Sequence, residues 1–327
     1  MTSEPLRAAV VGLGRVAWKF DQEPGRRVVW SHVGAYDALA PRIKVVGACD
    51  VQPKSRAEFI GKWIGIPVFE TAAEMIKATD PQIISICTPG ETHRATVEVA
   101  LTAPNLKVIW CEKPLATSLD DAKAIVQMCE QRQIVLVVSH VRRWSSLWRR
   151  FAKRIAAGDV GTVRHLRISM PNRLWSIGSH AVDLAVMLGG MVGKAVWLDV
   201  PALAEEGEPA RPALVLFESG VYAVIEVTGM KDRLIVEAEA TGDRGRLRAR
   251  EDTGEIILEP FVSSRRYQGY LEPGPAEIEK AATLTEESAF VAVAEETIAL
   301  ARDSSAKPTC GGRDALETMR VLELMAS

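Results

Sequence analysis

The chain has 327 residues, 47% of them hydrophobic and 25% charged, with a formal net charge of −2. This is ordinary globular composition, long enough for two domains that each bury a core, and so balanced a charge recruits neither nucleic acid nor an anionic membrane. No basic segment followed by a long apolar run opens the sequence, and its longest aliphatic run, 134–138, is far too short to span a bilayer, so a cytoplasmic protein is expected.

In chain order, the apolar strand 6–11 runs into Gly12-Leu13-Gly14-Arg15-Val16-Ala17. A second strand over 43–49 ends at Asp50, and a helix over 54–64 and a short strand over 67–69 come next. Thr71, with Glu74 three residues on, opens a capped helix. The continuous apolar strand 83–87 is stopped by Thr88-Pro89-Gly90 and followed by a helix over 92–102. Strand 106–110 leads into Cys111-Glu112-Lys113-Pro114, Ser118 opens a helix to 132, and 134–138 forms the last strand of this half. Apolar strands alternating with helices predict a doubly wound parallel sheet covered on both faces, over 1–139.

The second half, 140–327, reads differently. A helix over 145–157 carries Leu147, Phe151 and Ile155 on one face and Arg149, Arg150, Lys153 and Arg154 on the other. Strand 163–170 and helix 180–188 come after it. Strands over 195–200, 213–218, 221–227, 234–240 and 256–258 then appear without intervening helices, which predicts an α/β domain with a large, mainly antiparallel open sheet. Helices over 286–302 and 313–325 close the chain, the last one placed to pack back on the first domain. The five cysteines, at 49, 87, 111, 129 and 310, form no C-x-x-C and no Cys/His cluster. Neither a metal site nor a disulfide framework is expected, and buried free thiols are.

Gly12-x-Gly14-x-x-Ala17 after a strand fits a dinucleotide loop. Gly12 permits the tight turn, and Gly14 leaves room for a pyrophosphate over a helix N-terminus. Asp50, at the end of the next strand, is placed to accept from ribose hydroxyls, which favours NAD, with NADP the alternative. The gap between glycines and acid exceeds the usual ~20 residues, and the excess falls near 18–30, around Pro24-Gly25. That segment reads as a surface loop inserted in the first crossover, or as a lid offering Arg26 or Arg27 to an anionic substrate. Thr88 and Pro89 sit at a strand end facing the same crevice. His93 is a cofactor contact there or an ordinary residue of the first helical turn. Lys113, fixed by proline beside a carboxylate after a buried strand, is placed to meet cofactor and substrate together. His180 and Asp183 share a helix face, suited to proton transfer or, more plainly, to a core histidine capped by a carboxylate.

Taken in order, Gly12-Leu13-Gly14-Arg15-Val16-Ala17, Cys49-Asp50, Cys87-Thr88-Pro89-x-x-x-His93, Glu112-Lys113-Pro114 and Gly178-Ser179-His180-x-x-Asp183 resemble the glucose-fructose oxidoreductase / inositol dehydrogenase / rhizopine-catabolism (Gfo/Idh/MocA) superfamily over nearly the whole length. The resemblance implies a Rossmann domain, a second domain whose open sheet mediates homodimers or homotetramers in many members, and NAD(P)-linked oxidation or reduction of sugars, cyclitols or their derivatives. It implies Lys113 at the nicotinamide ribose and substrate hydroxyl, and His180 as acid/base. It adds Arg15, Val16 and Glu112 to the cofactor contacts. Many members carry an aspartate four residues before that histidine, where this chain has Ser176, and a serine cannot stabilise imidazolium as a carboxylate would. Arg143 and Arg173, with Ser176 and Asp183, are the substrate candidates, and the arginines suit an anionic or nucleotide-linked sugar. Two other readings stand beside the dehydrogenase: a lyase or glycosidase that oxidises its substrate transiently on tightly bound NAD, and a non-catalytic NAD(P) or metabolite sensor.

Overall fold

The computed structural model describes residues 4–197, 212–227, 230 and 232–326. The chain divides into two compact units, Met1–Val141 with Ser288–Met319, and Arg142–Glu287 with Arg320–Ser327.

The first unit is built on a six-stranded parallel sheet in the order β3-β2-β1-β4-β5-β6. Its strands are β1 (Leu6–Val11), β2 (Ile43–Cys49), β3 (Val68–Phe69), β4 (Ile83–Ile86), β5 (Val108–Cys111) and β6 (Val135–Val138). β4 and β5 are buried at every position, as their unbroken apolar runs require of strands covered on both faces. Helices α1 (His32–Ala38), α2 (Pro53–Lys62), α3 (Ala72–Thr79), α4 (His93–Ala100) and α5 (Leu119–Gln131) make the crossovers. Ser31 and Ser118 cap α1 and α5, and Thr71 and Glu74 close the expected capping box on α3. Strand order reverses between β1 and β4, which opens a crevice at the carboxyl ends of the strands. β5 runs to Cys111, so Glu112 comes directly after the strand.

The expectation of an α-helix starting at Gly14 is not met. Residues 15–18 form turns, Lys19–Gln22 a 3-10 turn, and α1 starts only at His32. Pro24-Gly25 breaks any continuation, and the N–H groups of His32 and Val33 donate to the carbonyls of Val16 (3.2 Å) and Ala17 (2.9 Å). The helix thus begins against the glycine turn instead of growing out of it. The inserted segment is tied down at several points. The Asp21 carboxylate accepts from the Trp30 N–H and the Ser31 hydroxyl, Lys19 pairs with Glu58, and the Ser288 hydroxyl donates to the Val29 carbonyl at 2.6 Å.

The second unit carries a nine-stranded sheet in the order β14-β13-β12-β11-β7-β10-β9-β8, with β15 also paired to β13. The strands are β7 (Val163–Ser169), β8 (Val192–Trp197), β9 (Ala213–Phe217), β10 (Tyr222–Glu226), β11 (Glu237–Gly242), β12 (Gly245–Arg250), β13 (Glu255–Ser263), β14 (Leu271–Pro273) and β15 (Glu277–Lys280). Only the β7–β10 pair is parallel among the described residues. Helices α6 (Ser146–Ala156) and α7 (Ser179–Gly189) pack on its strands. Of the expected strand 195–200, residues 198–200 lie outside the described residues. The strand expected from 234 starts at Glu237. β12 was hidden in the sequence because its outward positions, Arg246, Arg248 and Arg250, read as solvated charge. They form a ladder with Glu239, Glu259, Glu237 and Glu255 of the flanking strands, while Leu247 and Ala249 point into the core. Helices α8 (Ala289–Arg302) and α9 (Gly312–Ala326) end the chain. No helix among the described residues is long and apolar enough to cross a membrane.

Candidate active site

In the first unit the glycine loop is closed by contact. Gly12 turns with φ +86°, and a Cβ there would lie 2.9 Å from the backbone of Cys87 and Thr88. Only glycine brings the end of β1 this close to the end of β4. A Cβ at Gly14, by contrast, would meet nothing within 4 Å, so space stands open over the loop. The Leu13 N–H donates to Asp50 Oδ2 and the Gln52 N–H to Asp50 Oδ1, each at 2.7 Å. Asp50 therefore ties the glycine loop to the end of β2, while each of its oxygens retains a lone pair for a further donor. The Thr88 hydroxyl is buried with no partner among the described residues. Open space at Gly14, an acceptor at Asp50 and an orphaned hydroxyl at Thr88 fit the dinucleotide expected from the sequence.

Other expected cofactor residues are placed differently. The Arg15 side chain is 71% exposed and pairs at 2.6 Å with Glu23 of the insertion. The Val16 carbonyl is taken by α1. Pro89 is exposed, next to Gly90, whose Cβ position lies 3.6 Å from Pro114. His93 was a candidate cofactor contact, but it is fully buried, with Nε2 at 2.7 Å from the Thr88 carbonyl and Nδ1 at 3.1 Å from the Leu115 carbonyl. Both ring nitrogens are spent joining the Thr88 loop to the Lys113 loop, so His93 is a brace. Arg26, one of the two cations of the lid reading, is bonded to Glu23 at 3.1 Å and lies against the Phe20 and Trp30 rings, so the insertion itself takes up that charge, while Arg27 is exposed.

Glu112 and Lys113 extend from β5 into the same crevice. Lys113 is half-buried and Glu112 is 9% exposed. Glu112 Oε1 lies 2.9 Å from Nε2 of His32, a fully buried residue whose Nδ1 is 3.0 Å from the Ser85 hydroxyl. Ser85 is in turn 2.8 Å from the Tyr36 hydroxyl. Burial pushes the Glu112 carboxyl up, but hydrogen bonding from His32 first, then Ser139, and the nearby Lys113 charge outweigh it and leave it below the usual carboxylate range. Burial, then the Glu112 charge, pushes the Cys87 and Cys111 thiols well up. All five cysteines are free and buried. His32, Ser85, Tyr36 and Ser139 were missed from the sequence. The capping Ser31 marks a helix start before His32, but no local pattern ties His32 to a carboxylate 80 positions away.

In the second unit, Arg143 was expected to bind substrate. It is 5% exposed and grips Asp183, itself 1% exposed, through Nε (3.1 and 3.0 Å) and Nη2 (2.9 Å). Both candidates are thereby committed to a buried fork-shaped ion pair that fixes the segment before α6 to α7. Arg142 is likewise held by two 2.8 Å bonds to Glu251, which also accepts from the Trp148 indole. His180, 8% exposed, stands in the first turn of α7. A π-turn, Leu174–Gly178, precedes it, with the Gly178 N–H donating to the Arg173 carbonyl at 2.7 Å. Such turns insert a residue and re-aim the side chains of the next helical turn, often at functional sites. Arg173 is half-buried at the entrance to this turn and Ser176 lies within it.

Residues 6–140 match a family described as an oxidoreductase family with an NAD-binding Rossmann fold. Among curated proteins, the chain is 26% identical over 306 residues to D-apiose dehydrogenase of Paraburkholderia graminis, covering 86% of this chain and 79% of that protein. It is 31% identical over 158 residues to scyllo-inositol 2-dehydrogenase (NAD(+)) of Bacillus subtilis, covering 48% of this chain and 42% of that one. Among solved structures, the WlbA dehydrogenase of Bordetella pertussis in complex with NADH and UDP-GlcNAcA superposes with a TM-score of 0.75 at 19% identity, over 98% of this chain and 95% of that one. Identity that low shows the fold alone.

Proposed function

We propose that the chain is a member of the Gfo/Idh/MocA oxidoreductase family, an NAD-binding enzyme of the sugar and cyclitol dehydrogenase type, in which Lys113 polarises the reacting oxygen while hydride passes between nicotinamide and a hydroxyl-bearing carbon. One observation carries this reading. Lys113 leaves β5 at the crevice where Gly12, Thr88 and Asp50 converge, preceded by a buried carboxylate that is held as an anion. NAD, when bound, supplies the hydride acceptor or donor. The protein's share is to seat the dinucleotide over Gly12 and Gly14, hold its ribose at Asp50, and present an ammonium to the substrate oxygen. The same reading gives His180 the transfer of the hydroxyl proton.

Asp50 supports NAD over NADP, since a carboxylate fixed by two backbone N–H groups opposes a 2′-phosphate. An anionic or nucleotide-linked substrate is supported by the arginine at the entrance to the π-turn before α7, Arg173, which is half-buried. A homodimer or homotetramer, assembled on the open sheet, is supported by the exposed Leu216 of β9 and its cross-strand neighbour Tyr222 of β10, with exposed Val196 on the adjoining β8.

The test is NADH formation from NAD+ with a panel that includes D-apiose, scyllo-inositol and a D-glucoside, named for the relatives, run in parallel with NADP+. Net NADH formation with at least one member, faster than with NADP+, is expected. Product formed from tightly bound cofactor with no net NADH would move the protein to the lyase class.

A further inference from the structure

Two chains of hydrogen-bond donors end on one carboxylate. Trp110 Nε1–H donates to Ser139 Oγ at 2.7 Å, which leaves the Ser139 hydroxyl proton to be offered to Glu112, whose carboxyl Ser139 helps to lower. On the other side, Glu112 accepts from His32 Nε2–H. That tautomer leaves Nδ1 as the acceptor for the Ser85 hydroxyl, whose oxygen in turn accepts from Tyr36 O–H. The acceptor-only carboxylate makes His32 Nε2 a donor and the donor-only indole makes Ser139 Oγ an acceptor, and the directions given between them are those of a neutral imidazole. Tyr36, Ser85, His32, Trp110 and Ser139 are all at most 2% exposed, and the Trp110 ring stacks on His32 with centroids 3.7 Å apart, with Phe290 of α8 at 5.6 Å from His32. Each of these buried groups has a hydrogen-bond partner, and within the core the N–H and O–H dipoles are directed toward one carboxylate.

We propose that His32 and Ser139 are positioning residues that act on catalysis through Glu112, converging from α1 and from the end of β6 to fix a negative charge one residue before Lys113. The inference rests on the reading of Lys113 as the oxygen-polarising lysine. An anion on the neighbouring residue favours the ammonium form of Lys113, the form that polarises the substrate oxygen. The titratable groups that face Glu112 are His32 from α1, Lys113 from its own loop, Cys111 from β5 and Cys87 from β4, and the two thiols stay protonated through burial.

The experiment is trace acetylation of the full-length protein with acetic anhydride from pH 5 to 9. Lys113 is quantified by mass spectrometry relative to exposed lysines, with NADH fluorescence titrated in parallel. In His32→Leu the carboxyl loses its main donor and protonates at a higher pH. Below that pH, Lys113 has lost its counter-charge and acetylates roughly tenfold faster than in the unaltered protein. The excess disappears as pH rises and the carboxyl ionises again. His32→Gln, which restores an N–H donor, brings acetylation back toward the unaltered rate, and Glu112→Gln shows the excess at every pH. A folded His32→Leu protein whose Lys113 acetylates at the unaltered rate at pH 6 overturns the proposal. If that variant does not fold, Ser139→Ala decides in the same way through a smaller excess. Absence of NADH binding by the unaltered protein would sink the oxidoreductase reading and leave the acetylation result standing.

Discussion

Glu112 shows how much a single buried charge organises here. Its folded-state carboxyl titrates below its unfolded value, so its contribution to stability is present above the unfolded value of about 4.3 and is lost as pH falls through the folded one. Urea midpoints of the native protein and Glu112→Gln should therefore differ at pH 6 and converge toward pH 3. A gap that stays constant would show that the carboxylate is not held as an anion. The Arg143–Asp183 pair is buried more deeply still. Removing one partner leaves an uncompensated charge, and Asp183→Asn is expected to cost roughly 3 kcal/mol in urea unfolding. At Gly12, an alanine meets both a positive φ and two backbone atoms at 2.9 Å. Gly12→Ala should weaken NADH binding at least about tenfold and lower stability by ~1 kcal/mol or more, as monitored by NADH fluorescence and thermal melting.

Among the elements, the parallel strands were legible because they are unbroken apolar runs between turn signals. The Thr71-x-x-Glu74 helix start was legible because its cap is written locally. The first crossover was not. A glycine loop normally announces the helix after it, but here the link between Gly14 and α1 is made by long-range bonds, Asp21 to the 30–31 backbone and side chain and Ser288 to Val29, that no local pattern carries. Asp21→Ala should accordingly unpin the insertion and the start of α1 together, lowering stability by about 1–3 kcal/mol and raising amide exchange over 18–35. Exchange confined to 18–25 would mean that α1 holds without it. The charged strand Gly245–Arg250 escaped for a related reason. Alternating arginines look solvated until the flanking glutamates are known to sit opposite them.

For the molecule as a whole, composition and motif order conveyed the α/β class, the dinucleotide half and the mainly antiparallel second sheet. They could not convey which site candidates are used up internally. His93, Arg143, Asp183 and Arg26 each have the right chemistry in the right stretch, and each is consumed by a partner distant in sequence or by a neighbour in the same loop. His32 was invisible because its partner lies 80 positions away. Lys113 is the residue on which the proposed chemistry rests, so the decisive measurement is turnover of Lys113→Ala with an identified sugar or cyclitol substrate, alongside its affinity for NADH. A fall in kcat of roughly 10²–10⁴-fold with NADH affinity within a few-fold of the unaltered protein is expected. Full turnover in a folded Lys113→Ala protein would contradict the assignment of the chemistry to the end of β5.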